Sequence, residues 1–359
     1  MTISSATFLQ TDEPGQAHRD CAAGRPAKRD GSRLVVLILL SGLLLTTSMW
    51  AVTLGTTHIS PSSVWNAIAA FDGSREHLLV ATIRLPRVLA GLLAGSALAV
   101  SGAIMQAVTN NPLASPGLLG INAGAAFAVV LVMTLFGAGT GGAYMWFAFV
   151  GAGSAALLVF AIGTFGPTGH SPVGLVLAGA VVATFLTALT SAVLIFDQST
   201  LDAVRLWTAG SLSGRTMAQT TAVAPYILFG LAAALLLGRH LVTMGLGVDA
   251  ARALGQNPIV WRAIAVAVVI LLAGSAVSLA GPIGFVGLVV PHIARLTICI
   301  DYRWILPFSA LGGALLVIAA DTAGRVIFAS QSFPVGVTVA LIGAPFFLWL
   351  ARSRAGEAR

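Results

Sequence analysis

The stretch LLAGSALAVSG, residues 92–102, returns as LLAGSAVSLAG at residues 271–281. Seven of the eleven positions are identical at an offset of 179, and the same offset pairs Pro112 with Pro291. Both copies lack charged residues and are rich in glycine and alanine, a composition typical of membrane helices that pack closely. The repeat indicates two related halves; chance similarity between two Ala/Gly/Leu-rich helices is the alternative interpretation.

The composition of the whole chain also indicates a membrane protein. Of its 359 residues, 57% are hydrophobic and 9% are charged, whereas about 25% are charged in soluble domains. A chain so poor in charge cannot cover a water-facing surface. This excludes a soluble globular domain, a disordered chain, a coiled coil and collagen. Cys21 and Cys299 lie far apart, so no disulfide framework or metal site is expected from them.

Ten apolar runs approach the length needed to span the membrane, which is about 20 helical residues for roughly 30 Å of hydrocarbon. They lie at about 34–54, 87–108, 117–137, 144–164, 172–196, 220–238, 259–280, 284–299, 304–323 and 336–351. We therefore expect an all-α polytopic membrane protein with about ten transmembrane helices. Residues 1–33 and 352–359 are predicted to be polar cytoplasmic tails, the first of them disordered, around a transmembrane domain at 34–351.

The placement of arginine and lysine orients the chain, because cytoplasmic loops carry an excess of both. With ten spans and the N-terminus inside, thirteen of the 19 basic residues fall on the inner side. The six on the outer side are Arg75, Arg84, Arg87, Arg205, Arg215 and Arg325. Both termini are then cytoplasmic. The second copy lies five spans after the first, so the copies are expected to run in opposite directions, as in the inverted repeats of many transporters.

The predicted spans carry almost no ionisable groups. Asp321 is the only acidic residue well inside an apolar run, and Arg325 lies four residues on, where a helix places the two side by side. A structural ion pair and an intramembrane functional site are both compatible with this pattern.

Several kinds of catalytic and transport chemistry have no residues to support them. The chain has no series of carboxylates or histidines that would relay protons or sodium ions across the membrane. It also lacks the GxxxxGK[ST], HExxH and CxxC motifs. These absences disfavour an ion-coupled carrier, an ATPase and an enzyme, and we expect no cofactor or metal in this chain.

Two segments outside the spans have the chemistry of contact sites. In TMGLGVDAARALGQNP, residues 243–258 on the inner side, Asp249 is expected to cap a short helix that Gly255 closes. Such a helix would be a rigid knob for a partner, although an ordinary connecting loop is equally compatible. Arg84 and Arg87 lie before the second span on the outer side. They are interpreted either as snorkelling anchors or as a bidentate grip on carboxylates.

The segment GPIGFVG, residues 281–287, predicts a helix that breaks and restarts inside the membrane, which is tolerated where protein buries the backbone. His292, just beyond it, is interpreted as a structural residue. We assign helix breaks and close packing to a set of glycines and prolines. The set is Gly95, Gly102, Pro112, Gly281, Pro282, Gly284 and Pro291.

Five long segments together carry a recognisable pattern. They are RLPRVLAGLLAGSALAVSGAIMQAVTNNPLASPGLLGINAGA (84–125), GVDAARALGQN (247–257), GPIGFVGLVVPHIARL (281–296), DYRWILPFSALGGALLVIAADTAGR (301–325) and PVGVTVALIGAPFFLWL (334–350). In this order they resemble the FecCD-type ABC importer permeases, the membrane subunits for ferric siderophores, haem and cobalamin. The resemblance covers nearly all of residues 34–351 and implies the type II ABC importer permease fold.

The resemblance implies an assembly in the cytoplasmic membrane of a bacterium. Two permease chains, identical or paralogous, form a pathway above two cytoplasmic ATPase subunits, which hold ATP and magnesium, and a substrate-binding protein docks outside. No nucleic acid is implied. The expected function is ATP-driven import of ferric siderophores by alternating access, with cobalamin or haem as the alternative cargo and a non-ABC secondary carrier as a distant third.

The resemblance also implies roles for individual residues. The residues expected to dock the binding protein are Arg84, Arg87 and Arg325. Those expected in the loop that meets the ATPase are Gly247, Asp249, Arg252, Leu254 and Gly255. The inner gate is expected around His170, Ser171 and Pro172, where this sequence departs from the family's small hydroxyl residues.

Overall fold

The computed structural model describes residues 26–55, 59–137, 142–165, 172–298, 301–328 and 333–357, and the regular structure within these ranges is helical. The α-helices are α1 (Pro26–Thr53), α2 (Pro61–Ala69), α3 (Arg75–Leu79), α4 (Leu85–Thr109), α5 (Ile121–Phe136), α6 (Tyr144–Phe165), α7 (Pro172–Phe196), α8 (Gln198–Thr208), α9 (Met217–Gly245), α10 (Val248–Ala253), α11 (Pro258–Ala280), α12 (Val286–Ile298), α13 (Tyr302–Ile327) and α14 (Val335–Glu357). A π-helical turn, Val80–Arg84, joins α3 to α4, and a 3-10 turn, Pro116–Leu119, precedes α5.

Ten apolar helical stretches in the described ranges coincide one for one with the ten predicted spans. Seven are long enough to cross a membrane, namely α1, the continuous α3–α4 stretch, α6, α7, α9, α11 and α13. Three are shorter, namely α5, α12 and the Val335–Leu348 part of α14. The prediction of an all-α polytopic membrane protein is confirmed. Helix α12 has 13 residues, or about 20 Å of rise, because the chain between α11 and α12 is not helical.

The helices at both ends run further than the predicted spans. Helix α1 begins at Pro26, so residues 26–33 of the predicted disordered tail are helical, and α14 continues to Glu357. Arg33 pairs with Asp30 at 3.0 Å one turn away on α1, which favours a helix through this polar segment. The division of the chain into a membrane domain and two tails stays a prediction, and residues 1–25 lie outside the described ranges.

Helices α4 and α11 form the centre of the fold. In the α3–α4 stretch 78% of the most apolar window is buried, and in α11 72%, against 17% in α1. A side chain at Gly95 would collide with the backbone of Gly313 on α13, and one at Gly102 with that of Gly287 on α12. Contact of backbone with backbone gives membrane helices the dispersion energy that holds them together where lipid is as apolar as the side chains.

The two central helices also contain the two copies of the repeated sequence. Each is followed by a residue with positive φ, Asn110 at 48° after α4 and Gly281 at 75° after α11. Gly281 cannot carry a side chain here, because that side chain would also collide with the carbonyl oxygen of Trp207. Helix α11 is the fifth span after α4, an odd number of crossings, so the two helices run in opposite directions, in line with an inverted repeat.

The contact at Gly102 predicts a large effect of a single methyl group. Gly102→Ala should destabilise the protein by about 1–3 kcal/mol or more, because α4 and α12 must move apart. Gly42→Ala is the matched control, since nothing lies within 4 Å of the corresponding position on α1. Thermal unfolding of the two variants in detergent checks the prediction, and equal midpoints would contradict it.

Candidate functional site

Three arginines and one aspartate meet where α4 begins and α13 ends. Arg87 holds the Asp321 carboxylate through two parallel hydrogen bonds, Nη2 to Oδ1 at 2.7 Å and Nε to Oδ2 at 2.9 Å. Arg325 lies 3.2 Å from the same carboxylate, Nε to Oδ2, so the predicted pair of Asp321 and Arg325 is present. The Asp321 side chain is 5% exposed. A buried carboxylate shared between two guanidinium groups forms strong, geometrically specific bonds.

Two of these arginines also cap the C-terminal end of α1. The last carbonyl groups of a helix have no partner inside the helix, and a positive charge near them is favourable. The accepting residues are Ala51, Val52, Thr53 and Leu54. Arg84 Nη1 donates to the two middle oxygens at 2.7 and 2.8 Å, and Arg325 donates to the two outer ones at 3.0 and 2.9 Å. The cluster therefore joins α1, α4 and α13.

The arginine cluster, meaning Arg84, Arg87, Arg325 and Asp321, carries three positive charges and one negative charge. The structure brings the three predicted docking arginines together, with carbonyl groups or a carboxylate of the same chain already bound to each. They are recessed, since Arg84 is 7% exposed and the side chains of Arg87 and Arg325 are 13% and 15% exposed. Contact with a binding protein stays a prediction, and an acidic partner residue would have to reach into this recess.

At the opposite end of the spans, α10 forms the predicted short helix between α9 and α11. It begins one residue before Asp249, so the prediction that Asp249 is the N-cap is wrong. Gly247 is the N-cap instead, because its φ of 103° makes the turn that a residue with a side chain resists. Gly255 closes the segment with a φ of 78°. Leu254 is 62% exposed, which leaves a large apolar side chain beside the helix.

A proline inside α12 explains a polar contact that the sequence did not reveal. Pro291 has no N–H, so the carbonyl oxygen of Gly287 one turn earlier loses its helical partner. Gln106 on α4 replaces it, with its Nε2 3.4 Å from the oxygens of both Gly287 and Leu288. Arg295 in turn donates to Gln106 Oε1. An interior proline that faces a glutamine on another helix could have signalled this contact, but sequence gives no pairing between the two helices.

The remaining break residues lie between helices. Ser211 N–H donates to the Ala280 carbonyl at 2.8 Å, which satisfies the backbone where Gly281, Pro282 and Gly284 interrupt the helical path. Pro112 lies in the turn after α4. Here the Asn111 side chain accepts a hydrogen bond from the Leu113 N–H at 2.9 Å.

The predicted inner gate lies largely outside the described ranges. His170 and Ser171 lie outside them, and Pro172 is the first residue of α7. His292 is buried at 3% exposure in α12. Among the described residues no group of three or more His, Cys, Asp or Glu side chains could hold a metal ion.

Loss of the shared carboxylate should destabilise the fold. Asp321→Asn leaves two buried guanidinium groups without a counter-charge, for which we expect a cost of about 3–5 kcal/mol. Asp30→Asn is the control, because Asp30 is 51% exposed in its pair with Arg33. Thermal unfolding of both variants measures the difference, and a stability loss in Asp321→Asn no greater than in the control would contradict the role of the cluster.

Comparison with known proteins gives relatives along almost the whole chain. A family model for the FecCD transport family matches residues 43–353. The ferric enterobactin transport system permease protein FepD of Escherichia coli is 41% identical over 87% of this chain and 93% of its own length. The cobalamin import system permease protein BtuC of Halobacterium salinarum is 39% identical over 77% of this chain and 74% of its own.

The fold is also similar to a solved structure. A metal-chelate type ABC transporter in an inward-facing conformation matches with a TM-score of 0.76 and 25% identity, over 89% of this chain and 99% of that one. The family model covers far more than half of the chain, and relatives above 30% identity span most of it. This protein therefore belongs to the FecCD transport family and is a helical membrane permease of the ABC class.

Proposed function

We propose that this chain is the permease subunit of an ATP-driven importer that moves ferric siderophores across the cytoplasmic membrane by alternating access. The observation that carries the proposal is the short helix α10, flanked by Gly247 and Gly255 and followed by the exposed Leu254, at one end of an otherwise apolar bundle. Asp321, the acidic residue well inside an apolar helix, is already shared between two arginines. An ion-coupled carrier needs a titratable group that is free to change its charge, so the energy for transport is proposed to come from a partner.

The partner ATPase is proposed to bind at α10. The contact set is Gly247, Asp249, Arg252, Leu254 and Gly255. A side chain as exposed as Leu254, at the end of a short helix between two positive-φ glycines, suits a groove on a protein surface. ATP and magnesium are then held by the partner, and this chain supplies no catalytic group.

The substrate-binding protein is proposed to dock at the arginine cluster, at the other end of α4. With one carboxylate for three guanidinium groups, the cluster has an excess charge of +2 that attracts acidic residues. This end is assigned to the outside and both termini to the cytoplasm, because the excess of arginine and lysine then lies inside.

A second permease chain, identical or paralogous, is proposed to complete the pathway. Small and hydroxyl-bearing residues line one exposed face of α7, and they are Ala180, Thr184, Thr187, Ala188 and Ser191. The hydroxyls of Thr184 and Thr187 already donate to carbonyl groups one turn back in the same helix. Such a face permits close approach of a second helix and presents acceptor oxygens to a water-filled passage.

The cargo is proposed to be a ferric siderophore, in which the chelator itself holds the iron and the permease needs no metal ligands. Ferric enterobactin and cobalamin are the cargoes for which two of the relatives are named. Their identities of 41% and 39% are too close to decide the cargo alone. Cobalamin or haem is therefore the second candidate.

Uptake of radioactive iron tests the cargo. We expect cells that lack the chain to lose uptake from one member of a panel of hydroxamate and catecholate siderophores, and complementation to restore it. Uptake from the other chelates serves as the internal control. Unchanged iron uptake for every chelate would contradict a siderophore cargo, and labelled cobalamin and haem would be measured next.

The ATPase contact is tested on α10. Arg252→Glu combined with Leu254→Asp should reduce uptake by about tenfold or more, because both changes place negative charge on the proposed contact. Arg303→Glu is the matched control, since it changes the charge of an exposed arginine near the same end of the spans. Co-purification of the ATPase with each variant gives a second measurement. Wild-type uptake and co-purification in the double variant would contradict the contact.

A further inference from the structure

A histidine, a glutamine and a tryptophan meet directly beside α10. The rings of His240 on α9 and Trp261 on α11 are stacked, with centroids 3.4 Å apart and planes 14° from parallel. The amide nitrogen of Gln256 lies 3.0 Å from His240 Nδ1, within hydrogen-bonding distance. We call these three residues the inner clamp. It ties together the helix before α10, the helix after it, and the connection between.

The connection is itself bonded to α10. Gln256 N–H donates to the Ala251 carbonyl at 3.0 Å, and Gly255 N–H donates to the Arg252 carbonyl at 2.9 Å. The side chain of Gln256 is thus one turn away from the end of α10 and cannot shift far without pulling on it. A displacement of α10 would therefore also shift the stacked rings, because Gln256 is hydrogen-bonded to α10 and lies against His240.

The end of α9, just before α10, is bonded to the central helix α4. The Asn110 side chain, with its amide nitrogen turned toward α9, donates to the carbonyl oxygens of Gly245 and Met244 at 3.1 and 3.3 Å. Asn110 adopts a left-handed conformation at the end of α4, φ 48°, which asparagine tolerates better than most residues. The last turn of α9 thereby gains the partners that helix carbonyls otherwise lack.

Without these contacts α10 would be loosely held. It has six residues and is bounded by Gly247 and Gly255, whose positive φ values mark the most adaptable points of the backbone. A force applied to such a segment would turn it about the two glycines. The stacked pair and the glutamine remove that freedom on the α11 side.

We propose that His240, Gln256 and Trp261 are positioning residues that make α10 move as one body with α9 and α11. The inference rests on the proposed ATPase contact at α10 and adds the residues through which movement enters the bundle. Trp261 as a simple anchor at the membrane surface is the competing explanation, since tryptophan is common there. An anchor requires neither the stacked histidine nor the glutamine.

The mobility of α10 is measured with a spin label. In the full chain, Cys21 and Cys299 are replaced by serine and Ala253→Cys carries the label on the last residue of α10. His240→Ala and Trp261→Ala should each release the label and narrow its spectrum, because the stack is lost. An unchanged spectrum in both variants would overturn the proposal.

Conservative and distant variants separate positioning from general damage to the fold. Trp261→Phe keeps an aromatic ring for the stack and should retain the wild-type spectrum, whereas Gln256→Ala should release the label in part. Trp65→Ala removes a 66% exposed tryptophan at the opposite end of the spans and should change nothing at α10. Equal release in Trp261→Phe and Trp261→Ala would show that ring stacking is not the cause and would overturn the clamp.

Transport by the same variants tests the consequence, with radioactive iron presented on a trihydroxamate or a catecholate chelate. At equal membrane levels, His240→Ala and Trp261→Ala should lower uptake by about twofold to thirtyfold, the range seen when residues between coupled sites are changed. Trp261→Phe should restore it. A released label with wild-type uptake would overturn the proposal. Absence of uptake by the wild-type chain would instead contradict the proposed cargo, and the spectra would still decide whether the clamp holds α10.

Discussion

Water is absent from the interior of a bilayer, so every backbone group left over at a helix end or break must find its partner inside the protein. This constraint accounts for several of the polar contacts that join separate segments in the described ranges. Arg84 and Arg325 bond the carbonyl groups at the end of α1, Gln106 bonds the carbonyl that Pro291 sets free, and a backbone N–H of the α8–α9 connection bonds the end of α11. Each contact also joins separate helices, so backbone satisfaction and tertiary packing are achieved by the same bonds.

The central helix α4 connects the two regions that the proposed mechanism requires. It has 25 residues and therefore extends over about 38 Å. Its first turn holds the carboxylate of α13 through Arg87, and Asn110 at its other end bonds the last turn of α9. Gly95 and Gly102 bring neighbouring backbones against its flank. A helix that is held so closely along its length moves together with its neighbours, which suits rigid-body motion of packed units.

The sequence predicts features within one helix better than it predicts contacts between segments that are far apart in the chain. Apolar run length predicted the ten spans, and the four-residue spacing predicted the pair of Asp321 and Arg325, because both depend on neighbours along one helix. Arg87 joins that pair from 234 residues away, and nothing in its own segment indicates the contact. The stack of His240 on Trp261 was missed for the same reason. The observed starts of α1 and α10, Pro26 and Val248, differ from the predicted ones. Polar residues and a positive φ set these two boundaries, and hydropathy does not.

The arginine cap on α1 has a consequence for biosynthesis. A ribosome makes the chain from its N-terminus, and Arg325 is 271 residues downstream of Leu54, whose carbonyl it bonds. The first helix therefore enters the membrane before Arg325, the second arginine that bonds its end, has been synthesised. Eight further spans are made in that interval. Only 17% of its apolar window is buried even in the finished fold, and during that interval Arg84 is the one of its two capping arginines already synthesised. Once the ninth span is complete, Arg325 can bond the end of the first helix, and the N-terminal and C-terminal parts of the chain are then joined.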